Sequence, residues 1–163
     1  KMIVPKFDKS KGDRSPKSKW LAVNKKPNIV IFEGWCVGIG PQKKKDLVIP
    51  INKLEEQKDK NKIWRQTVNK ELENKYQKIF DLIDNLIFLK VPSFKYVYKW
   101  RLLQEKKLRT KSRGNKTMSN EQVKNFIMYY ERLTKNMLKI LPKKANTVIS
   151  IDESHRLKSI KFN

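Results

Sequence analysis

The chain has 163 residues, enough for one domain of ordinary size, and 38% of them are hydrophobic. One cysteine, Cys36, and one histidine, His155, exclude an internal disulfide and a zinc cluster of Cys and His ligands. The sequence lacks an apolar run near the ~18 residues of a membrane span, and its start turns polar too soon for a signal peptide, so we expect a cytoplasmic protein with no membrane partner.

The net charge of +23 allows two interpretations. Clustered cations displace the counterions of phosphates, which is typical of a nucleic-acid-binding module without catalysis. However, lysine outnumbers arginine and is spread along the whole chain, whereas sequence-reading interfaces use the planar arginine fork. We therefore favour a solvated cationic surface that attracts small anionic substrates, and keep the nucleic-acid module as the alternative.

The first part of the chain predicts two short strands separated by a loop. A strand is expected around residues 2–4, and a loop up to residue 26. Residues 28–32, NIVIF, are β-branched and aromatic and lie between Pro27 and Gly34, which indicates a buried parallel strand. The lysine run that follows is predicted to be a surface turn.

The rest of the chain alternates helical and strand patterns. These patterns predict, in chain order, an amphipathic helix over 59–85, a buried strand over 86–91, a helix after Ser93, a helix that begins with a capping box at Ser119, and a strand over 147–151. Pro142 is expected to end the helix that Ser119 begins, and a polar tail follows the last strand. This order predicts an α/β chain with a largely parallel sheet.

Three glycines after the second strand raise the question of a phosphate-binding loop. Gly34, Gly38 and Gly40 do not fit the Walker A order G-x-x-x-x-G-K-[ST], and no other position supplies it. The dinucleotide fingerprint G-x-G-x-x-G also fails, because Pro41 follows Gly40. What remains is a carboxylate, Glu33, at the strand end where ligands of open α/β sheets bind. Glu33 either serves a magnesium ion or pairs with a nearby lysine, and the local pattern favours neither.

Several short motifs follow one another along nearly the whole chain. They are, in order, Val4-Pro5-Lys6-Phe7-Asp8-Lys9-Ser10 with Gly12-Asp13-Arg14, Phe32-Glu33-Gly34-Trp35, Val97-Tyr98-Lys99-Trp100-Arg101 with Gln104-Glu105, and Met118-Ser119 at a helix start. In this order they resemble the D-glycerate 3-kinase family and its bacterial kinase-like relatives. These are P-loop kinases related to phosphoribulokinase, uridine kinase and pantothenate kinase.

The resemblance implies a P-loop NTPase-type parallel sheet flanked by helices. In that family the first strand and the Walker A loop precede the motif at residues 4–10, so we expect an incomplete sheet and the C-terminal portion of a single kinase domain. Residues 1–58 would hold the substrate-side loop and a Walker-B-like strand, 59–142 the helical and lid region, and 143–163 the last strand and tail.

The family pattern places Asp8, Lys9, Asp13 and Arg14 on the acceptor-substrate side. A small hydroxy acid is anionic, so the two cations can clamp its carboxylate while an aspartate accepts a hydroxyl hydrogen bond. The alternative is an Asx turn with solvated charges around Gly12.

The resemblance also assigns residues to the phosphoryl side, with ATP and Mg²⁺ as cofactors. Glu33 would be the Walker-B-like acid and would contact Mg²⁺ indirectly. Arg101 would lie at the start of the lid and neutralise charge on the transferred phosphoryl group, and Arg109 and Arg113 are weaker candidates on the nucleotide side. Each arginine is alternatively a surface cation.

The function implied is transfer of the γ-phosphoryl group of ATP to a substrate hydroxyl, with D-glycerate as a candidate acceptor. Without a Walker A loop, these residues alone are expected to be inactive. A degenerate remnant that folds without activity is a further alternative. The sequence does not indicate an oligomeric state.

Overall fold

A computed structural model of the protein describes residues 2–8, 13–111 and 117–163. Two compact units are present, residues 1–34 and residues 35–163. Each is described by itself below.

The first unit contains two small antiparallel pairs of strands. Strand β1 (Met2–Val4) pairs with β4 (Leu21–Val23), and β2 (Phe7–Asp8) pairs with β3 (Asp13–Arg14). The strand predicted near residue 2 is confirmed, whereas β2, β3 and β4 lie where a loop was expected. Strand β4 has three residues, and β2 and β3 have two each, which is too few to show a hydrophobic period in the sequence.

Backbone and side-chain hydrogen bonds tie the β2–β3 hairpin to the segment that follows it. The N–H of Ser15 donates to the carbonyl of Lys6 at 2.8 Å. The indole Nε1 of Trp20 donates to the carbonyl of Ser15 at 2.7 Å, and Ser15 is buried. These bonds hold the ends of the hairpin together.

The buried strand predicted over 28–32 is wrong. This segment has no regular structure, and its side chains are exposed, with Ile31 at 87%. A strand needs a hydrogen-bonding neighbour, and in the described part of the first unit β1 pairs with β4 and β2 with β3, which leaves none beside residues 28–32. The Walker-B-like strand assigned to residues 1–58 is therefore absent as a strand, and Glu33 does not follow one.

The second unit begins with a series of short helices. They are α1 (Lys53–Lys58), α2 (Ile63–Glu71), a π-helical stretch (Leu72–Tyr76) and α3 (Gln77–Phe80). The helix predicted over 59–85 is confirmed only from Ile63 to Phe80. Asp59 instead ends α1, a helix that the sequence analysis missed although Asn52 caps it by accepting from the N–H of Glu55.

Two long helices follow, α4 (Phe94–Lys111) and α5 (Asn120–Lys144). The predicted capping box is confirmed, because Ser119 and Gln122 exchange side-chain to backbone hydrogen bonds. The prediction that Pro142 ends α5 is wrong, since the helix continues to Lys144. The N–H of Ala145 donates to the carbonyl of Leu141 at 2.9 Å, so helical hydrogen bonding resumes after the proline.

The sheet of the second unit has the order β5–β6–β7. Strand β5 (Ile87–Lys90) runs parallel to β6 (Thr147–Ile151), and β7 (Leu157–Phe162) is antiparallel to β6. Strands β5 and β6 confirm the two predicted strands. Strand β7 lies where a polar tail was expected, because two lysines and a serine interrupt its apolar residues.

One face of this sheet packs on α5. Phe88 and Val148 form a buried core with Leu141 and Ala145. The opposite face carries exposed apolar side chains, namely Ile87, Leu89, Ile160 and Phe162. Strand β5 is therefore buried on one face only, in contrast to the fully buried strand that its composition predicted.

Gly38 marks the entry to this unit. Its φ of +76° lies in the left-handed region, and a Cβ placed there would lie 2.8 Å from Cδ1 of Leu86. Both facts require glycine at this position. Within the described ranges, no helix combines the length and the apolar composition needed to cross a membrane.

Candidate functional site

The predicted substrate residues within the described ranges share the β2–β3 hairpin. Asp8 lies directly across from Asp13, and Phe7 across from Arg14. Asp13 and Arg14 are exposed, and the N–H of Arg14 donates to Oδ1 of Asp13 at 2.6 Å. The hairpin thus brings two carboxylates and a guanidinium onto neighbouring residue pairs. Lys9 lies outside the described residues.

Glu33 lies in the same unit as the hairpin, on the irregular segment before residue 35. It is exposed, and no helix or strand fixes its position. In ranges 2–8, 13–111 and 117–163, no three His, Cys, Asp or Glu side chains cluster as ligands of one metal ion would. Glu33 therefore offers a single accessible carboxylate.

Arg101, the predicted catalytic arginine, lies on α4 and is held on three sides. Its Nη2 lies 2.6 Å from Oε1 of Glu105, and its Nη1 donates to Oε1 of Gln104 at 2.5 Å. The guanidinium carbon lies 5.5 Å from the centre of the Phe126 ring on α5. The side chain is 25% exposed, so the group is oriented yet accessible.

The neighbouring residue on α4 fixes this helix to the sheet. The indole Nε1 of Trp100 donates to the carbonyl of Glu153 at 3.2 Å, and its ring centre lies 4.0 Å from that of His155. Glu153 and His155 belong to the turn between β6 and β7. The backbone beside Arg101 therefore has a fixed place relative to the sheet.

The C-terminal half of α4 holds the backbone that leads into α5. Oε2 of Glu105 accepts from the N–H of Met118 at 3.0 Å, and Nη2 of Arg109 donates to the carbonyl of Met118. Arg109 thus has a structural contact, and its nucleotide-side role stays a prediction. Arg113 lies outside the described residues.

A second arginine and carboxylate pair lies between α1 and α5. Nε and Nη2 of Arg132 bind the two carboxylate oxygens of Glu55 at 2.7 and 2.6 Å. The same guanidinium donates to the carbonyls of Asp46 and Ile49 at 2.7 and 2.8 Å. Only 8% of the Arg132 side chain is exposed.

A third pair, Arg65 and Asp59, lies beside it. Nη1 of Arg65 is 2.8 Å from Oδ2 of Asp59, and its Nε donates to the carbonyl of Leu47. Burial raises the pKa of Asp59, but the N–H groups of Trp64 and Arg65 and the Arg65 guanidinium together outweigh it and hold the pKa below its ordinary value. The Arg132 and Arg65 pairs together fix the backbone over residues 46–49, at the end of the 3₁₀ helix Lys44–Leu47.

Sequence reasoning assigned no role to these two buried pairs or to Glu105. The partners Glu55 and Arg132 lie 77 positions apart, so no local pattern connects them. Glu105 could have been found, because it lies four residues after Arg101 on a predicted helix, the spacing of an ion pair.

A cavity of about 110 Å³ lies between the α1–α2 region and α5. Trp64 and Tyr129 line it with ring centres 6.4 Å apart, together with the buried Arg65 and Arg132. Both guanidiniums bind carboxylates and backbone carbonyls, and the described lining has no other cation. The cavity therefore does not suit a small anionic substrate.

Cys36 is not a nucleophile in this structure. The residue is partly buried, with φ of +65°, and burial raises the pKa of its thiol to about 12. At neutral pH the thiolate is therefore rare.

Comparisons with known proteins agree on one group of enzymes. No family model matches the chain. The chain is 40% identical over 133 residues, 78% of its length, to a protein of Schizosaccharomyces pombe (strain 972 / ATCC 24843) named uncharacterized kinase mug58. It is 34% identical over 134 residues, 80% of its length, to the chloroplastic D-glycerate 3-kinase of Arabidopsis thaliana. The resemblance to the D-glycerate 3-kinase family is confirmed.

A solved structure shows the same fold. The D-glycerate 3-kinase of Cryptococcus neoformans var. grubii serotype A matches 99% of the chain with a TM-score of 0.75, at 24% sequence identity. The match covers 59% of that chain, 46% of the fission yeast kinase and 26% of the Arabidopsis enzyme. The chain thus spans about half the length, or less, of the relatives that it matches.

Proposed function

We propose that the protein supplies the substrate side and the lid side of an ATP-dependent small-molecule kinase. The enzyme transfers the γ-phosphoryl group to a substrate hydroxyl, and its complete domain has a P-loop NTPase-type fold. The observation that carries the proposal is the 34% identity over 134 residues with a protein named D-glycerate 3-kinase. D-glycerate is therefore the first candidate acceptor.

The β2–β3 hairpin supports a small anionic hydroxy acid as substrate. Arg14 is exposed and carries a planar guanidinium, which can bind a carboxylate through two hydrogen bonds. Asp8 and Asp13 lie across from each other, so a hydroxyl held between them has an acceptor on either side. A clamp of this kind positions the hydroxyl that receives the phosphoryl group.

Glu33 suits a role at a magnesium ion that accompanies the nucleotide. Mg²⁺ keeps several waters in such sites and binds one or two carboxylates together with phosphate oxygens, so a single exposed carboxylate is sufficient. Bound Mg-ATP would supply the phosphoryl group and neutralise part of its charge. Glu33 would hold the ion through water.

Arg101 suits the phosphoryl group itself. In phosphoryl transfer the negative charge lies on the oxygens of the phosphoryl group that is being transferred, and a fixed guanidinium stabilises this charge. Glu105, Gln104 and Phe126 already fix the orientation of this guanidinium. Little reorganisation is then needed at the moment of reaction.

These 163 residues do not contain the order G-x-x-x-x-G-K-[ST]. The proposed activity therefore needs a phosphate-binding loop from outside them. We expect the 163-residue chain alone to show no turnover of Mg-ATP with any hydroxy acid.

The experiment is a kinase assay on the protein expressed from its complete gene, with Mg-ATP and D-glycerate, and with L-glycerate as control. ADP release that depends on D-glycerate, together with a phosphate ester seen by phosphorus NMR, is the expected result. Failure to phosphorylate D-glycerate and other small hydroxy acids contradicts the proposal, as does full activity of the 163-residue chain.

The substitution Arg14→Gln tests the hairpin within the same assay. The guanidinium clamps the substrate carboxylate in the ground state and the transition state alike, so its loss should raise KM for the acceptor about tenfold or more and change kcat less. Lys17→Gln removes an exposed cation of the same unit and serves as the matched control. An equal effect of both substitutions would mean that only the general positive charge matters.

A further inference from the structure

Glu105 is a buried carboxylate in contact with two separate parts of the protein. Only 3% of the residue is exposed. Its Oε1 pairs with Nη2 of Arg101 on the same helix, and its Oε2 accepts from the N–H of Met118 just before α5. One carboxylate oxygen therefore forms an ion pair and the other accepts a hydrogen bond.

The contacts of Arg101 leave part of its guanidinium unused. Each terminal nitrogen of a guanidinium carries two N–H groups. The hydrogen bond to Gln104 takes one N–H of Nη1, and Nη2 forms an ion pair with Oε1 of Glu105 at 2.6 Å. The Nε of Arg101 is buried and has no hydrogen-bond partner in the described part of the chain. Among the described residues, Gln104 and Glu105 are the polar partners of the terminal nitrogens, so N–H groups remain for the oxygens of an anion.

Phe126 adds a third contact from the neighbouring helix. Its ring centre lies 5.5 Å from the guanidinium carbon, within the range of a cation–π interaction. A carboxylate on one side and a ring face on another form a binding place for a planar cation.

We propose that Glu105 and Phe126 form a guanidinium socket that positions Arg101 for the phosphoryl group. Glu105 is the positioning residue, and it also couples the socket to the backbone of Met118 at the start of α5. The statement that Arg101 acts on a phosphoryl group rests on the proposed kinase function. The socket itself does not depend on that function.

The test is chemical rescue of Arg101→Ala in the protein expressed from its complete gene, with guanidinium chloride well below unfolding concentrations. Loss of one fixed donor lowers kcat about 10²-fold or more. We expect guanidinium to raise the kcat of the Arg101→Ala protein about tenfold. A second substitution, Glu105→Gln, should abolish the rescue, because a glutamine offers one acceptor where the carboxylate offers two. Lys106→Ala, which removes an exposed side chain of the same helix, should preserve it.

Two outcomes overturn the socket. Rescue that persists in Arg101→Ala with Glu105→Gln shows that the carboxylate does not hold the cation, and absence of rescue in Arg101→Ala shows that no socket forms. Phe126→Leu, which keeps an apolar side chain, provides a second variant should the glutamine disturb folding. It should weaken the rescue.

A binding measurement separates failure of the socket from failure of the kinase proposal. In the Arg101→Ala protein, guanidinium should shift the backbone amide NMR signal of Met118, whose N–H bonds Glu105. The shift should vanish with Glu105→Gln. If the wild-type protein phosphorylates nothing while this shift appears and vanishes as stated, the socket stands and the kinase proposal fails. A shift absent from Arg101→Ala, or unchanged by Glu105→Gln, overturns the socket.

Discussion

The pairs Arg132–Glu55 and Arg101–Glu105 contain the same two residue types in different surroundings. Arg132 makes four hydrogen bonds to Glu55 and to two backbone carbonyls, and its side chain is 8% exposed. Within the described residues, Arg101 makes one hydrogen bond, to Gln104, and one ion pair, to Glu105, and its side chain is 25% exposed. Four of the five N–H groups of Arg132 therefore bond the chain, whereas Arg101 has fewer of its N–H groups bonded within the described residues.

This difference distinguishes a structural arginine from a candidate functional arginine, which residue type does not. Both pairs join an arginine to a glutamate, so residue type alone does not tell their roles apart. The number of N–H groups already bonded within the protein does. An arginine with most of its donors bonded to the chain cannot turn to a phosphoryl group without breaking those bonds.

The largest effect on stability is expected for Arg132→Ala. The substitution leaves Glu55 as a buried charge without its cation and leaves the carbonyls of Asp46 and Ile49 without a donor. Breaking a buried pair in this way costs about 3–5 kcal/mol. Urea unfolding should show a loss of this size. The matched control is Lys135→Ala, which removes an ion pair to Glu131 from a side chain that is 52% exposed, and it should cost about 1 kcal/mol or less. Equal losses would contradict the comparison.

The pair Asp59–Arg65 predicts how stability depends on pH. The folded-state pKa of Asp59 is lowered, so its contribution is present above the unfolded pKa of about 3.9 and is lost as the pH falls through the folded pKa. The urea concentration at the unfolding midpoint should therefore decrease as the pH is lowered from about 5 to about 2. Asp59→Asn should remove part of this slope, since the amide does not titrate. An identical slope in the variant would show that the carboxylate is not stabilised by folding.

The smallest effect is expected for Gln104→Ala. Its hydrogen bond to Arg101 is exposed, so its loss should change the free energy of unfolding by less than about 0.5 kcal/mol. Glu105→Ala, measured beside it, should cost several times more because it leaves the guanidinium without its buried counterion and the N–H of Met118 without its acceptor. Similar values for both would mean that Glu105 contributes no more to holding Arg101 than an exposed glutamine does.

Short sequence patterns predicted some helices and strands correctly. The capping box at Ser119 identified the start of α5, and the β-branched run over 147–151 identified β6. Residues 28–32 show the limit of such signals. Their composition is that of a strand, but a strand also requires a neighbour to pair with, and sequence pattern does not report neighbours.

The residue types of the candidate site come from the resemblance, and their contacts come from the structure. The resemblance selected Arg101, Asp8, Asp13 and Arg14, and the structure places the last three on one hairpin. The buried pair of Glu55 with Arg132 joins residues 77 positions apart, and only tertiary packing brings them together. Lys9 and Arg113 lie outside the described residues, so their roles stay predictions.

The most direct measurement of the central claim is turnover per folded molecule for Arg101→Lys and Arg132→Lys, in the protein expressed from its complete gene. Lysine keeps the charge and removes the planar fork in both variants. We predict that Arg132→Lys unfolds more readily but turns over at nearly the wild-type rate per folded molecule. Arg101→Lys should stay nearly as stable as wild type and turn over about tenfold or more slowly. The reverse pattern, or equal losses of turnover in both variants, would contradict the division between a structural and a functional arginine.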